Sequence, residues 1–254
     1  RPPQLRCARE SLRRSARTVY ALWGSGPRDL YAVGMDGLVL HHDGQSWHEQ
    51  PRISDADLFG VWGSGPADVY AVGVEGTLLH FDGQRWRDRS AELPLPAGSG
   101  RPPLNAISGR AGEGDDPAEL WLVGNGVALH RGRGRFQKTH VGSRVLYAVV
   151  ASAPGEAYAA GGGGALLRYS EGRWQAAGPG PGLSRGQDLL ALLLRGGELW
   201  AGGRHGALLR RDAGGAWSAL AVPEELTVMG LSARSGGAAS WPAWSKRSRV
   251  RAEK

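Results

Sequence analysis

The 254-residue chain has one cysteine, three lysines, and no apolar run that approaches 18 residues. With Cys7 alone, no disulfide can form within the chain. Without a long apolar run there is no helical membrane span. No segment sustains a 3.6-residue apolar period at helical length, which argues against a helical or α/β architecture. The chain begins at Arg1, not Met, and shows no signal-peptide core. The expectation is therefore that a leader has been removed or that the chain is a fragment. Arginine outnumbers lysine 28 to 3, a bias of GC-rich coding that lowers the functional weight of any one arginine.

Acidic residues are scarce where basic ones cluster. The formal net charge is +7, but residues 1–17 hold six arginines against Glu10, and residues 241–254 hold five Lys/Arg against Glu253. The remaining 223 residues carry −2. A groove that tracks nucleic-acid phosphates needs its charge on the folded surface, not on two tails, so nucleic acid is not expected as a partner.

The chain repeats. Residues 22–47, "LWGSGPRDLYAVGMDGLVLHHDGQSW", return 39 positions later as "VWGSGPADVYAVGVEGTLLHFDGQRW", with 17 of 26 positions identical. A signature of acidic, aliphatic and aromatic residues recurs at Asp29–Tyr31, Asp68–Tyr70, Glu119–Trp121, Glu156–Tyr158 and Glu198–Trp200. Each is followed at fixed distance by a glycine: Gly34, Gly73, Gly124, Gly161 and Gly203. A short apolar run comes next, and each unit closes on an aromatic: Trp47, Trp86, Phe136, Trp174 and Trp217. Spacings of 39, 50, 38 and 43 residues between these aromatics fit a propeller repeat with several short strands per unit. "DLFGVWGS", "DVYAVG", "TLLHFD" and "QRWRDR" read as four strands, with tight turns at Gly73–Gly76 and Asp82–Gly83. "LLALLL" (189–194) looks helical alone, but the repeat register places it on a first strand.

The expected fold is an all-β propeller of about 40-residue, four-stranded blades, five recognisable and a sixth partial. The expected organisation is a basic leader over 1–17, a propeller over 18–237 and an off-pattern basic tail over 238–254. Within the propeller, blades are expected at 18–56, 57–100, 101–144, 145–187 and 188–224, with a partial one at 225–237. Residues 226–237 match a first strand, and then the pattern stops. Ala238–Pro242 can be encoded by GCG GCG AGC TGG CCC, which one frame over reads Gly-Glu-Leu-Ala, close to "GGELWA" of the fifth copy. The hypothesis is a frameshift or truncation near Gly237; a gene in which no downstream frame restores the repeat would sink it.

Repetition also weighs on the chemistry. His41, His80 and His130 share one slot that holds Arg168 and Arg210 in later copies, a substitution that suits a polar strand position and not a metal ligand. In His41-His42-Asp43, adjacent side chains point to opposite faces, so no metal is expected there. The acidic slot could ring one end of a channel or serve as a turn residue, and the turn reading is preferred. The Tyr/Trp slot is either a stacking platform or inter-blade packing, and packing is preferred. Ser25 and Ser64 occur in interchangeable copies, followed by Ser108 with its flank lost, which suits a loop and not an activated nucleophile. Gly161–Gly164 lacks the strand-to-helix context of a phosphate loop. No cofactor is expected.

The third copy departs from the pattern. It carries a Pro/Gly-rich approach over 93–103 and an acidic insertion over 110–118, which together are expected to form one contact face. The insertion is either a recognition loop or a tolerated one. As a recognition loop it would offer Arg110, Glu113, Asp115 and Asp116 as binding residues.

"VWGSGPADVYAVG…GTLLHFDGQRW" resembles the repeats of bacterial propellers of the photosystem II stability/assembly-factor type. "HHDGQSW" and "HFDGQRW" are also similar to the BNR or Asp-box turns of sialidase-like proteins, keeping Asp-Gly and the closing Trp but lacking the leading serine and second glycine. The resemblance covers roughly residues 18–237. It implies a non-enzymatic interaction protein, exported or at the cell surface, that recognises a protein or a glycan through rim loops. A monomer is expected. The alternative is a carbohydrate-processing or lectin-like propeller. Its enzymatic form needs non-repeating arginine, Tyr/Glu and Asp residues, whereas the Tyr and acidic candidates of the first two copies fall in repeated slots.

Overall fold

The computed structural model describes residues 17–98, 100–112, 117–177, 183 and 187–232. Five four-stranded antiparallel sheets follow one another along the chain. The first blade is β1 (Val19–Gly26), β2 (Asp29–Gly34), β3 (Val39–His42) and β4 (Trp47–Glu49). The second is β5 (Leu58–Gly65), β6 (Asp68–Gly73), β7 (Leu78–Phe81) and β8 (Trp86–Asp88). The third is β9 (Leu104–Arg110), β10 (Glu119–Gly124), β11 (Ala128–Arg131) and β12 (Gln137–Thr139). The fourth is β13 (Leu146–Ala153), β14 (Glu156–Gly161), β15 (Leu166–Ser170) and β16 (Arg173–Ala176). The fifth is β17 (Leu189–Arg195), β18 (Glu198–Gly203), β19 (Leu208–Arg211) and β20 (Trp217–Ala219). Each sheet pairs its strands in sequence order, and the first strands β1, β5, β9, β13 and β17 touch their neighbours in series. This is the β-propeller arrangement. "LLALLL" lies on β17, as its register requires.

The core lies between blades. Val33 and Val39 of blade one pack on Leu58, Val61, Leu79 and Trp86 of blade two. Tyr70, Val72 and Leu78 of blade two pack on Leu104, Leu120 and Leu122 of blade three. Two further clusters join blades three to four and four to five. Each sheet thus buries one face against the next, so the apolar short strands gain their stability from neighbours and not from their own sheet. The first strand shows the converse. Leu58 and Val61 are 0% and 8% exposed, whereas their counterparts Val19 and Leu22 are 46% and 61% exposed, with no preceding blade among the described residues.

Two turn types repeat. The second and third strands join through pairs with positive φ at both central positions, Asp36-Gly37, Glu75-Gly76, Gly163-Gly164 and His205-Gly206, the geometry that matches strand twist in a two-residue hairpin. In blades one and two the third and fourth strands join through Asp-Gly turns. Asp43 Oδ1 accepts from the amides of Gln45 (2.8 Å) and Ser46 (2.9 Å), and Asp82 Oδ1 from those of Gln84 (3.0 Å) and Arg85 (2.9 Å). These backbone donors hold both carboxyls below the usual range, Asp43 with added help from His48 and Asp82 from Arg87.

The sixth unit is described only as far as Ser232. Residues 226–232 form no strand, although the Val228 amide donates to the Gly203 carbonyl at 2.8 Å and the Gly206 amide to that of Leu226, also at 2.8 Å. The expected first strand is therefore absent from the described residues: this segment adheres to blade five and builds no sheet. The basic leader up to Ala16 and the tail over 238–254 lie outside the described residues.

Candidate functional site

Each blade has two ends. At one, the first strand turns into the second and the third into the fourth; at the other lie the glycine hairpins and the connections between blades. The two ends carry different chemistry.

At the first end, the acidic slot and the His/Arg slot meet on adjacent strands. Asp29 Oδ1 accepts from His41 Nε2 at 2.7 Å, Asp68 Oδ1 from His80 Nε2 at 2.7 Å, and Glu119 Oε1 from His130 Nε2 at 2.8 Å. In blade four Arg168 Nη2 donates to both oxygens of Glu156 at 2.9 Å, and in blade five Arg210 donates to Glu198. The five acidic residues are thus cross-strand hydrogen-bond partners, ion-paired to arginine in blades four and five, and the expectation of simple turn residues is corrected. A carboxylate this near a cationic or N–H donor gains more from the donor than from its own turn. Burial pushes the Asp68 carboxyl up, but the bonds from His80, Ser64 and Tyr70 outweigh it and hold the group below its ordinary value. Arg210 similarly depresses Glu198.

The aromatic of the signature lies flat on this pair. Tyr31 stacks on His41 at 4.4 Å, Tyr70 on His80 at 4.2 Å and Trp121 on His130 at 4.8 Å, while Arg210 sits 5.4 Å over Trp200. The other face of the aromatic meets the next blade: Phe81 and Trp86 each lie 5.9 Å from Tyr31. Burial, helped by the Asp29 charge, pushes the Tyr31 hydroxyl up to about 12. The Tyr/Trp slot is packing, as its recurrence implied.

Ser25 and Ser64 donate to Asp29 and Asp68, whose other oxygens hold His41 and His80. For nucleophilic catalysis the serine must pass its proton to the imidazole. Here both groups attach to the carboxylate, so the order is wrong for activation. Ser108, taken from sequence as the third copy of this serine, pairs instead with Trp121, the position that Trp62 occupies opposite Tyr70. Its hydroxyl accepts from the Ala151 amide at 3.0 Å. His41 and His42 diverge: His42 is buried, accepts from the Gly44 amide at 3.1 Å and packs on Trp47. Among the described residues, no cluster of three His, Cys, Asp or Glu could hold a metal.

At the second end, every first strand carries a β-bulge at the same step. Pairing slips between Val19 and Ala21, Leu58 and Gly60, Leu104 and Ala106, Leu146 and Ala148, and Leu189 and Ala191. The extra residues are Tyr20, Phe59, Asn105, Tyr147 and Leu190, one per blade. All are at least partly exposed. Tyr20 and Phe59 touch edge to face at 5.4 Å, and Asn105 Nδ2 donates to the Leu146 carbonyl beside Tyr147 at 2.9 Å. A bulge leaves its extra residue out of the ladder and re-aims the side chain. These five are therefore released from blade pairing and gathered at one end.

The segment over 93–103 also lies at this end. A β-carbon on Gly76, in the second-blade hairpin, would meet Leu95 Cδ1 at 2.7 Å, and Arg101 donates to the Ser90 carbonyl at 2.7 Å. Arg110 is exposed at the far end of β9, opposite Glu119. The seven residues of β9 span about 23 Å. Among the described residues, 93–98 and 100–103 thus lie a full strand away from 110–112 and 117–118, which counts against the expectation that 93–103 and 110–118 form one face. Glu113, Asp115 and Asp116 lie outside the described residues.

The bulged slot was missed from sequence because its residues share no chemistry. A signal existed in the spacing: Tyr20, Phe59 and Tyr147 each fall 14 positions before the fixed glycine of their copy.

No protein-family model matches the chain, and no curated protein matches it. Solved structures do resemble it. The extracellular domain of BT4673 from B. thetaiotaomicron is 14% identical over 87% of this chain, with a TM-score of 0.65. The chain covers 30% of that protein's length. YCF48 from Cyanidioschyzon merolae is 14% identical over 74% of this chain and 65% of its own, with a TM-score of 0.53. These likenesses establish the propeller fold. No helix among the described residues is long and apolar enough to cross a membrane.

Proposed function

We propose that the chain is a non-enzymatic recognition module that binds a protein or glycan partner at the bulged end of the propeller. One observation carries this reading: five successive blades keep the same bulge yet place Tyr, Phe, Asn, Tyr and Leu on it. A feature fixed in backbone and varied in side chain is what a recognition surface requires. Exposed aromatic edges supply contact area at low entropic cost and suit both peptide and sugar faces. The polar residues of the first-to-second-strand turns support the same conclusion, since Ser25 and Ser64 bond to the carboxylates that hold His41 and His80 and neither is aimed at the imidazole.

The working unit is residues 18–237, acting as a monomer with the two basic tails outside it. A location outside the cytoplasm is supported by the extracellular placement of the BT4673 domain. Arg110, Glu113, Asp115 and Asp116 are a secondary set of binding residues in this reading, which deleting residues 110–118 would test.

The principal test is a screen of displayed peptides and arrayed glycans against the intact chain, repeated with a Phe59→Ala/Tyr147→Ala double variant. Ligands retained by the native chain and lost by the variant, with an unchanged melting temperature, support the reading. Equal retention by both proteins overturns the location, and hydrolysis of any glycoside overturns the non-enzymatic assignment.

A further inference from the structure

Where one blade meets the next, a residue at the end of the later blade's third strand reaches the signature aromatic of the preceding blade: Phe81, Arg131, Tyr169 and Arg211 in turn. At the first three junctions this contact is sealed. Phe81 and Trp86 cover Tyr31. Arg131 lies between Tyr70 and Phe136, 5.2 and 5.0 Å from their centres, and donates to the Tyr70 hydroxyl at 3.0 Å and the Ala118 carbonyl at 3.2 Å. Tyr169 meets Trp121, is backed by Trp174 and bonds to His130 Nδ1 at 3.1 Å.

The junction of blades four and five differs. Arg211 lies 6.0 Å from the centre of Tyr158, and beside it opens a depression of about 340 Å³ lined by Tyr158, Arg168, Ser170, Gln175 and Arg211. The opening follows from the sequence of the fourth strand. Gln175-Ala176-Ala177 stands where blade two has Arg87-Asp88-Arg89, so short side chains leave the space unfilled.

The charge of the depression is unbalanced. Arg168 is neutralised by Glu156, yet its Nε is buried without a hydrogen-bond partner. Arg211 makes no ion pair with any described residue and rests against Gly215. The neighbouring carboxylates are engaged elsewhere: Glu171 with Arg173, and Asp212 with the Ala216 amide. One guanidinium charge therefore faces the space, flanked by Ser170 and Gln175 as further polar groups and by the Tyr158 ring as an apolar wall.

We propose that this depression binds an oxyanion, a carboxylate or a sulfate or phosphate ester, carried on a body the size of an amino acid or monosaccharide. Arginine recognises such planar or tetrahedral oxyanions through paired N–H donors. The volume lies at the small end of ligand pockets and excludes a large group. The site faces the ion-pair end of the propeller, away from the bulged surface, and does not rest on the recognition role argued for that surface.

The test titrates the full chain with benzoate, phenyl sulfate, phenyl phosphate and neutral benzyl alcohol, followed by calorimetry. At least one anion is expected to saturate a single site, with benzyl alcohol failing to bind. Arg211→Gln should weaken that anion about tenfold or more, whereas Arg211→Lys should restore part of the affinity and Arg85→Gln, at an exposed turn, none of the loss. The anion that binds best identifies the natural source. Absence of saturation at millimolar probe, equal binding of benzyl alcohol, or equal weakening by Arg85→Gln overturns the proposal. Melting curves of the Arg211 variants show whether a loss reflects unfolding, in which case the Arg211→Lys result decides. Phe59→Ala/Tyr147→Ala should leave anion binding unchanged, so failure of one site is distinguishable from failure of the other.

Discussion

A β-carbon built on Gly73 would lie 1.9 Å from the carbonyl oxygen of Asp57. The same carbonyl accepts from the Val74 amide at 3.0 Å and immediately precedes the bulge at Phe59. Gly34, Gly124, Gly161 and Gly203 make the same approach at 1.9–2.1 Å to Thr18, Pro103, Val145 and Asp188. The fixed glycine of the repeat is thus the residue that lets the first strand close on the hairpin and bulge.

Gly73→Ala is therefore expected to destabilise the protein by more than about 2 kcal/mol, since backbone and not a yielding side chain blocks the new carbon. Gly26→Ala, with nothing within 4 Å of its β-carbon, should change stability by less than about 0.5 kcal/mol. Urea denaturation of the two variants checks the contrast, and equal effects would refute the close-approach account.

His80→Arg should be tolerated, with a loss below about 1 kcal/mol, because blades four and five use arginine against the same carboxylate. His80→Ala leaves Asp68 half-buried with one partner fewer and should cost about 1–3 kcal/mol. Thermal melts at neutral pH distinguish the two; an arginine variant as weak as the alanine one would show that shape, not pairing, sets the slot.

Asp68 is held below its ordinary pKa in the folded chain. A depressed folded pKa adds stability above the unfolded value, near 3.9, and that stability is lost as pH falls through the folded value. Asp68→Asn should be weaker than the native protein at pH 7, and the difference should shrink below about pH 4. Denaturation midpoints from pH 7 to pH 2 measure it, and a gap constant across that range would contradict the assignment.

Arg131 lies between Tyr70 and Phe136, donates to the Tyr70 hydroxyl and the Ala118 carbonyl, and stabilises a blade junction without an acidic partner among the described residues. Arg131→Met keeps much of the packing but leaves the Tyr70 hydroxyl and the Ala118 carbonyl without their donor. A loss of about 1–3 kcal/mol is expected. A crystal structure of the variant with both groups rebonded would explain a smaller one.

The blades were legible because repetition multiplies weak signals: one Asp-Gly turn is ambiguous, but the closing aromatic at matched spacing fixes it as a connection between strands. The cross-strand hydrogen-bonded pairs were not legible. Asp68 and His80 stand 12 positions apart, and each was assigned alone to a turn or a strand face. Only the register that sets Tyr70 opposite His80 brings carboxylate and imidazole together. The serine slip in copy three has a similar origin: the bulge that extrudes Ser64 has no counterpart near Ser108, so matching letters misplaced the register. The bulged residues stayed hidden because a pattern search weights identity, and this slot differs in nearly every copy.

That inequality separates two kinds of inheritance within one repeat. The glycine and its carbonyl partner transmit a shape from blade to blade, while the bulged position is free to drift, since none of its copies enters a strand ladder. Duplication of such a unit copies the frame and leaves one unfixed character in each copy. Tyr20, Phe59, Asn105, Tyr147 and Leu190 can then be read as a five-character word written on a constant page, editable one character at a time without reprinting the rest.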